Sequence, residues 1–370
     1  MGDYYIGLIS GTSMDGIDAA LVDIDASAVS VLQTRQHDYP DALRSQLIDA
    51  MRNPAKCAID DIGALDRQVG KCFCDAANAL LADAGVDAAA VTAVGSHGQT
   101  LRHRPDVAHP FTLQVGDPAT IAKETGITTV ADFRRADIAL GGQGAPLTPA
   151  FHEWLFRQSG KNRVVLNIGG IANITVLRGD GSDTTGFDTG PGNTLLDAWC
   201  RQNLGRPYDR NGDWAAQGDV IDDLLTRLLA DPYFGAAPPK STGFEYFNLA
   251  WLEAAGIAGL RPEDVQATLS ALSADSIAAD IQHHAPDTSD IFVCGGGVHN
   301  AGLLQRLAAN LPYAQVSSTA AAGLEPDWVE AVAFAWLAMR TLRGLPGNLP
   351  AVTGATRATV LGAIHAADRS

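Results

Sequence analysis

Asp188 has the surroundings of a reactive group rather than of a turn residue alone. It lies in Gly186-Phe187-Asp188-Thr189-Gly190-Pro191-Gly192-Asn193, where an apolar strand runs into a glycine-rich turn. Asp is an ordinary turn former, because its short side chain bonds to nearby backbone. Here glycine removes side-chain bulk on both sides, so a ligand can approach the main chain closely. A second glycine-flanked strand, Val164 to Gly170, precedes it. Exposed N–H groups for phosphate with a fixed base beside them are the parts a phosphoryl-transfer site requires.

The other candidates each admit two readings. Gly11-Thr12-Ser13-Met14-Asp15-Gly16 is either a plain hairpin turn or an anion nest, in which the Thr12 and Ser13 hydroxyls join successive N–H groups. No Lys follows its second glycine, so it is not a Walker loop. Asp15 and Asp18 would repel phosphate directly and make sense facing Mg²⁺ or solvent. Gly169-Gly170 and Gly295-Gly296-Gly297 both follow apolar strands, which favours nucleotide contact. Ser96-His97-Gly98-Gln99 and Arg134-Arg135 stand at strand ends of the first half, where ligands bind in α/β proteins. Their alternatives are a structural histidine and a solvated arginine pair. The tract from His97 to His109 holds three His and two Arg, at spacings unlike a metal site. Glu330, on an apolar helix from Trp328, is placed either for the dipole of a first turn or towards a ligand. Lys240, in Pro238-Pro239-Lys240-Ser241-Thr242-Gly243, is open between a phosphate clamp and a surface loop.

Alternating apolar residues predict strands at Tyr4 to Ile9 and Ile17 to Ile24, joined as a hairpin, then Val91 to Gly95, Phe111 to Val115 and Ile127 to Ala131. Helical spacing fills Asp41 to Ala84. The turn-rich Gly141 to Leu147 reads as a domain junction. The second half restarts with strands 164–168 and Ile174 to Leu177, a helix from Thr194 to Asn203, and a polar surface loop from Pro207 to Asp219. A strand from Asp290 to Cys294 and a helix from Trp328 to Arg343 follow. The unit of strand, turn and strand at 4–24 recurs at 164–177, which predicts duplicated α/β domains.

At 370 residues the chain exceeds one ordinary core, so two domains are expected. Apolar residues make up 46% of it, yet no run approaches a membrane span. The opening residues carry no basic leader, and the five cysteines show no paired spacing; buried free thiols in a reducing cytoplasm are the expectation. The net charge of −16 argues against nucleic-acid or anionic-membrane partners. An anionic substrate must then be captured by local groups.

Taken in order, GTSMDGID, SHGQT, DFR, GGQGAPL, NIGGIAN, GFDTGPGN, PKSTG, CGGG and WVEAVAFAWLA resemble the anhydro-N-acetylmuramic acid kinases, over about residues 4 to 365. These are cytoplasmic bacterial enzymes of cell-wall recycling in the sugar-kinase, heat-shock chaperone and actin superfamily. The resemblance implies an α/β fold of two duplicated actin-like, ribonuclease-H-like domains around a central ATP and sugar cleft that closes on its ligands. The first would comprise 1–131 with 358–370, and the second 132–357. It implies that ATP and water convert 1,6-anhydro-N-acetylmuramic acid to N-acetylmuramic acid 6-phosphate and ADP. Asp188 matches the catalytic aspartate and Glu330 a glutamate that positions sugar. Gly11, Thr12, Ser13, Met14, Asp15, Gly16, Ile17 and Asp18 match the ATP loop, with Asn167, Gly169, Gly170, Gly295, Gly296 and Gly297 on the nucleotide side. Ser96, His97, Gly98, Gln99, Arg134 and Gln143 fall on the sugar side, Arg134 facing the lactyl carboxylate. Many superfamily members carry Asp where this chain has Ile9 and Asn167, so no protein ligand is named for Mg²⁺; water and ATP oxygens would supply most of its coordination. A homodimer is implied as well. A conventional sugar kinase and a non-catalytic ATP-driven module remain the alternatives on residue chemistry alone.

Overall fold

The computed structural model describes residues 3–11, 14, 16–25 and 28–368. The chain divides into two compact units, Met1–Leu155 with Trp328–Ser370, and Phe156–Asp327. The boundaries therefore fall elsewhere than at 131/132 and 357/358, and the Gly141–Leu147 turn lies inside the first unit. The reason is visible in the packing: the helix Val329–Leu342 covers the first sheet, which periodicity alone could not assign.

The first sheet contains β1 (Tyr4–Ser10), β2 (Ile17–Ile24), β3 (Val29–His37), β4 (Val91–Arg104), β5 (Phe111–Val115) and β6 (Thr129–Ala131). The second contains β7 (Arg163–Ile168), β8 (Ile171–Leu177), β9 (Thr185–Pro191), β10 (Asp290–Cys294) and β11 (Gln315–Ser318), and β12 (Ala363–His365) returns to the first. The strand orders are β12-β6-β4-β1-β2-β3, with β5 on β4, and β11-β10-β7-β8-β9. Strand for strand, β6-β4-β1-β2-β3 repeats as β11-β10-β7-β8-β9. In each, an antiparallel meander of three strands is followed by two parallel additions. The sequence echo between the two hairpins thus extends to a whole sheet plan.

Two segments differ from expectation. Val29–His37 is a strand that the polar run Gln33-Thr34-Arg35-Gln36-His37 disguised, because it forms the half-exposed edge of the sheet. Strand β4 does not stop at Gly95 but continues through Ser96-His97-Gly98-Gln99 to Arg104. It pairs with β1 up to Ser10 opposite Gln99, across a register shift at Gly98, whose φ is 73°. A bulge of this kind bends the strand and re-aims its side chains.

Each unit has its own apolar core. In the first, the helix Val329–Leu342 is buried along nearly all of its length, from Val329 and Ala331 through Met339. It lies directly on the sheet because Gly7 and Gly95, paired across β1 and β4, carry no side chains. A Cβ on Gly7 would stand 1.7 Å from the Ala331 carbonyl oxygen, and one on Gly95 2.0 Å from that of Phe334. This contact sets the height of the helix whose first turn bears Glu330. Gly95→Ala must push the helix off the sheet, at a cost of about 3 kcal/mol. A thermal melt should show the midpoint lowered by roughly 6–12 °C; an unchanged midpoint contradicts the close approach.

Candidate active site

Asp188 stands in β9 opposite Asn173, and Asn173 stands in turn opposite Asn167 of β7. The register between β8 and β9 slips at this point, leaving Thr189 as the extra residue. The bulge turns the end of β9 while Gly190 takes a φ of 145°. The loop 238–243 runs beside the strand. The Asp188 N–H donates to the Lys240 carbonyl at 3.1 Å, and the Thr242 N–H donates to Asp188 Oδ2 at 3.0 Å. The Tyr233 hydroxyl donates to the Asp188 carbonyl at 2.8 Å. The carboxylate is half-buried, with Oδ2 fixed. Loss of water pushes its carboxyl up to about 6, against the opposing pull of the Thr242 N–H and the Lys240 charge. A base with that value is ionised at neutral pH yet binds a proton strongly enough to take one.

Lys240 is not extended as an anion clamp. Its ammonium is buried against Asp280, 3.1 Å from Oδ2.

The glycine turns lie close together in the same unit. Gly295 has a φ of 76°, and a Cβ there would stand 2.2 Å from Asn167 Oδ1; one on Gly297 would stand 2.3 Å from Ile168 Cγ2. Asn193 ties the β7–β8 turn to the next helix, its N–H donating to the Gly169 carbonyl at 2.8 Å and its side-chain amide to the Ile168 carbonyl at 3.2 Å. Thr194 N–H bonds to the Gly170 carbonyl at 3.0 Å. Asn167, Gly169, Gly170 and Gly295 to Gly297 therefore gather at one end of the second sheet.

Of the first hairpin turn, Thr12, Ser13 and Asp15 lie outside the described residues. Gly11 accepts a bond from the Met14 N–H at 3.2 Å, and Met14 is buried with a φ of 54°. Gly16 and Ile17 are buried, and Asp18 is half-buried opposite Ile9.

A second polar group forms in the first unit. His97 Nδ1 lies 2.9 Å from the Gly98 carbonyl and so carries the proton, which leaves Nε2 as an acceptor. Arg134 donates to that nitrogen from Nε at 3.0 Å and from Nη2 at 2.9 Å, and from Nη1 to the Gly144 carbonyl at 2.7 Å. Burial and the neighbouring guanidinium hold the imidazole neutral, well below its ordinary value. Burial lowers Arg134 to about 10, and it remains a cation at neutral pH. Three of its five N–H groups are used, which leaves one on Nη1 and one on Nη2. Glu330 is at the first turn of its helix and exposed. Surrounding protein raises its carboxyl and the Arg134 charge lowers it, while water on the open side chain competes with both.

The remaining sugar-side residues are dispersed in role. Gln99 is fully buried, its amide committed to Ser10 at 2.6 Å and the Thr100 carbonyl at 3.3 Å, inside the sheet. Ser96 is buried. Gln143 is half-buried and bonds Asp106 at 3.2 Å. Sequence reasoning missed Asp137, which is wholly buried. It accepts bonds from Gly144 N–H, Asn348 and Thr353, each at 2.7 Å, and so shapes the turn that receives Arg134. No motif spacing marked it; two of its three partners, Asn348 and Thr353, are 211 and 216 residues away.

A desolvated base beside glycine turns at strand ends has the make-up of a phosphotransferase. The family model for anhydro-N-acetylmuramic acid kinase matches residues 3–367. A protein of that description from Shewanella sp. (strain MR-4) is 55% identical over 364 residues, 97% of each chain, and one from Shewanella halifaxensis (strain HAW-EB4) is 53% identical over 367 residues, 99% of each. Among solved structures, a ROK family glucokinase from Streptomyces griseus in complex with glucose and AMPPNP aligns over 90% of this chain and 99% of its own, at a TM-score of 0.39 and 14% identity. The chain belongs to the anhydro-N-acetylmuramic acid kinase family.

A carboxylate raised from 3.8 to about 6 serves as a base only when ionised, so with Asp188 in that role kcat/KM should fall as pH drops through about 6. A steady-state pH profile checks this. An acid limb near the ordinary carboxylate value contradicts it.

Proposed function

We propose that this protein uses ATP and water to open the 1,6-anhydro ring of 1,6-anhydro-N-acetylmuramic acid and to phosphorylate the freed 6-oxygen, giving N-acetylmuramic acid 6-phosphate and ADP in peptidoglycan recycling. The observation that carries it is the Asp188 carboxylate, desolvated, held at Oδ2 by a backbone N–H and raised to about 6. Membership of the family supplies the substrate.

In this reading Asp188 takes a proton from water as the water oxygen bonds to the anomeric carbon. The bond from that carbon to the 6-oxygen breaks, and its electron pair attacks the γ-phosphorus; the bond to ADP breaks in line. The product keeps the water oxygen at its anomeric hydroxyl and the phosphoryl group on the 6-oxygen, and Asp188 returns its proton to solvent. Serving both ends of the bridge avoids a free alkoxide. Arg134 presents its end-on edge to the lactyl carboxylate, and His97, uncharged, fixes the guanidinium without repelling it. Glu330 positions the sugar. Gly11 to Asp18 and the turns at Asn167, Gly169, Gly170 and Gly295 to Gly297 are assigned to ATP, where bare backbone lets phosphate and nucleoside approach.

The Mg²⁺ expected of an ATP-using kinase is assigned to phosphate oxygens and water. Among the described residues no three His, Cys, Asp or Glu side chains are grouped to hold a metal ion. No helix among them is long and apolar enough to cross a membrane. A cytoplasmic homodimer completes the proposal, carried by the family resemblance.

Asp188→Asn keeps the shape and removes the base. Turnover of the anhydro sugar, followed by ADP release, should fall by about 10²–10⁴-fold. In ¹⁸O-water the wild-type product should carry label at the anomeric hydroxyl and none in the phosphate. Equal turnover of free N-acetylmuramic acid, or an unlabelled anomeric oxygen, contradicts the hydrolytic half and leaves a conventional sugar kinase.

A further inference from the structure

We propose that Lys240 and Asp280 are positioning residues for the reaction, their buried ion pair fastening the 238–243 loop so that the loop fixes the Asp188 carboxylate. The inference deepens the reading of Asp188 as the base and rests on it.

The geometry is specific. Lys240 Nζ lies 3.1 Å from Asp280 Oδ2 and 3.3 Å from Oδ1, with the two side chains 4% and 11% exposed. The ammonium also stands 5.1 Å from the ring centre of Tyr233 and 5.6 Å from that of Phe187, within range of cation–π attraction. Phe187 is the residue before Asp188, and Tyr233 donates to the Asp188 carbonyl. One cation thus gathers the helix Pro262–His284, which bears Asp280, together with Tyr233, β9 and its own loop. Two residues further along that loop, the Thr242 N–H holds Asp188 Oδ2.

The loop has no regular structure between Ala237 and Gly243 to hold it. A buried pair of opposite charges adds little stability over an apolar pair of the same size, because both ions lose their water. What it adds here is a fixed place for a segment without regular structure. A backbone donor displaced by about 1 Å is enough to lose much of a reaction rate. The charged and titratable groups around the pair are few. Asp188 faces Lys240 and Tyr233; Asp280 has His283 and His284 on its own helix, with His284 Nε2 at 3.9 Å; and Arg178 bonds to the His284 carbonyl at 3.1 Å.

The test compares Lys240→Met, Asp280→Asn and the double change Lys240→Met/Asp280→Leu with Asp188→Asn, in the full-length protein with ATP and the anhydro sugar. In Lys240→Met, kcat should fall by about 10²-fold, while KM for both substrates stays within about twofold. The acid limb of its pH profile should move up, because a cation that favours the ionised carboxylate is gone. In Asp280→Asn the limb should move down, because the Lys240 charge is no longer offset. Opposite displacements are not produced by mere loss of folded enzyme. The double variant, confirmed folded by thermal melt, should keep the low kcat of Lys240→Met; recovery to the wild-type rate overturns the inference. Wild-type kcat and an unmoved limb in both single variants also overturn it, and if Asp188→Asn is inactive in the same series the base reading stands. Full turnover in Asp188→Asn removes the base reading and the inference together.

Discussion

One hydrogen bond fixes the proposed base: the Thr242 N–H to Asp188 Oδ2, made in a site from which much of the water has been removed. Desolvation alone would drive the carboxyl towards a neutral acid, useless as a base at neutral pH. A charged hydrogen bond of this type is worth about 1.5–3 kcal/mol and favours the ionised form. The Lys240 ammonium adds to it. The balance leaves a carboxylate that is ionised, aimed and still basic. The bulge at Thr189 and the loop held against β9 keep the carboxylate in that place.

The two units apply one strand plan to different ends. In the second, β9 carries Asp188, the proposed base, and the turns after β7 and β10 present bare backbone. In the first, the bulge in β4 aims His97 at Arg134, and Gly7 with Gly95 lets a helix lie flat on the sheet with Glu330 at its start. The ring of Phe334 on that helix sits 4.7 Å from the His97 ring, so helix height and imidazole position are coupled. A neutral imidazole is a sound partner for a guanidinium, since it accepts two N–H groups without cancelling the charge. The cation is left whole for an anionic ligand in a chain whose net charge is −16.

Much of this was legible in the residues. The hairpin β1–β2 and strands β5 and β10 follow from apolar alternation, and the ordered strings pointed to the family over nearly the span that its model matches, whereas the turn expected around Asp188 is the bulged strand β9. What was not legible depends on distant partners. His97 and Gln99 were placed beyond a strand ending at Gly95, yet β4 continues through them, paired with β1 and β5 on either side of the bulge. Lys240 stayed open between a phosphate clamp and a surface loop because Asp280, the partner that buries it, is forty residues away. Asp137 drew no reading at all, because its role appears only where Gly144, Asn348 and Thr353 converge on it. Four of the five cysteines are buried thiols as expected, while Cys57 is half-exposed.

The most direct measurement is titration of Asp188 itself, by carbon NMR of protein carrying ¹³C-labelled aspartate side chains, with Asp188→Asn to identify the resonance. The account requires one carboxyl that titrates near 6 and is missing from the variant. A resonance that titrates at the ordinary aspartate value, or no difference between the two spectra above pH 5, would contradict a desolvated and ready base.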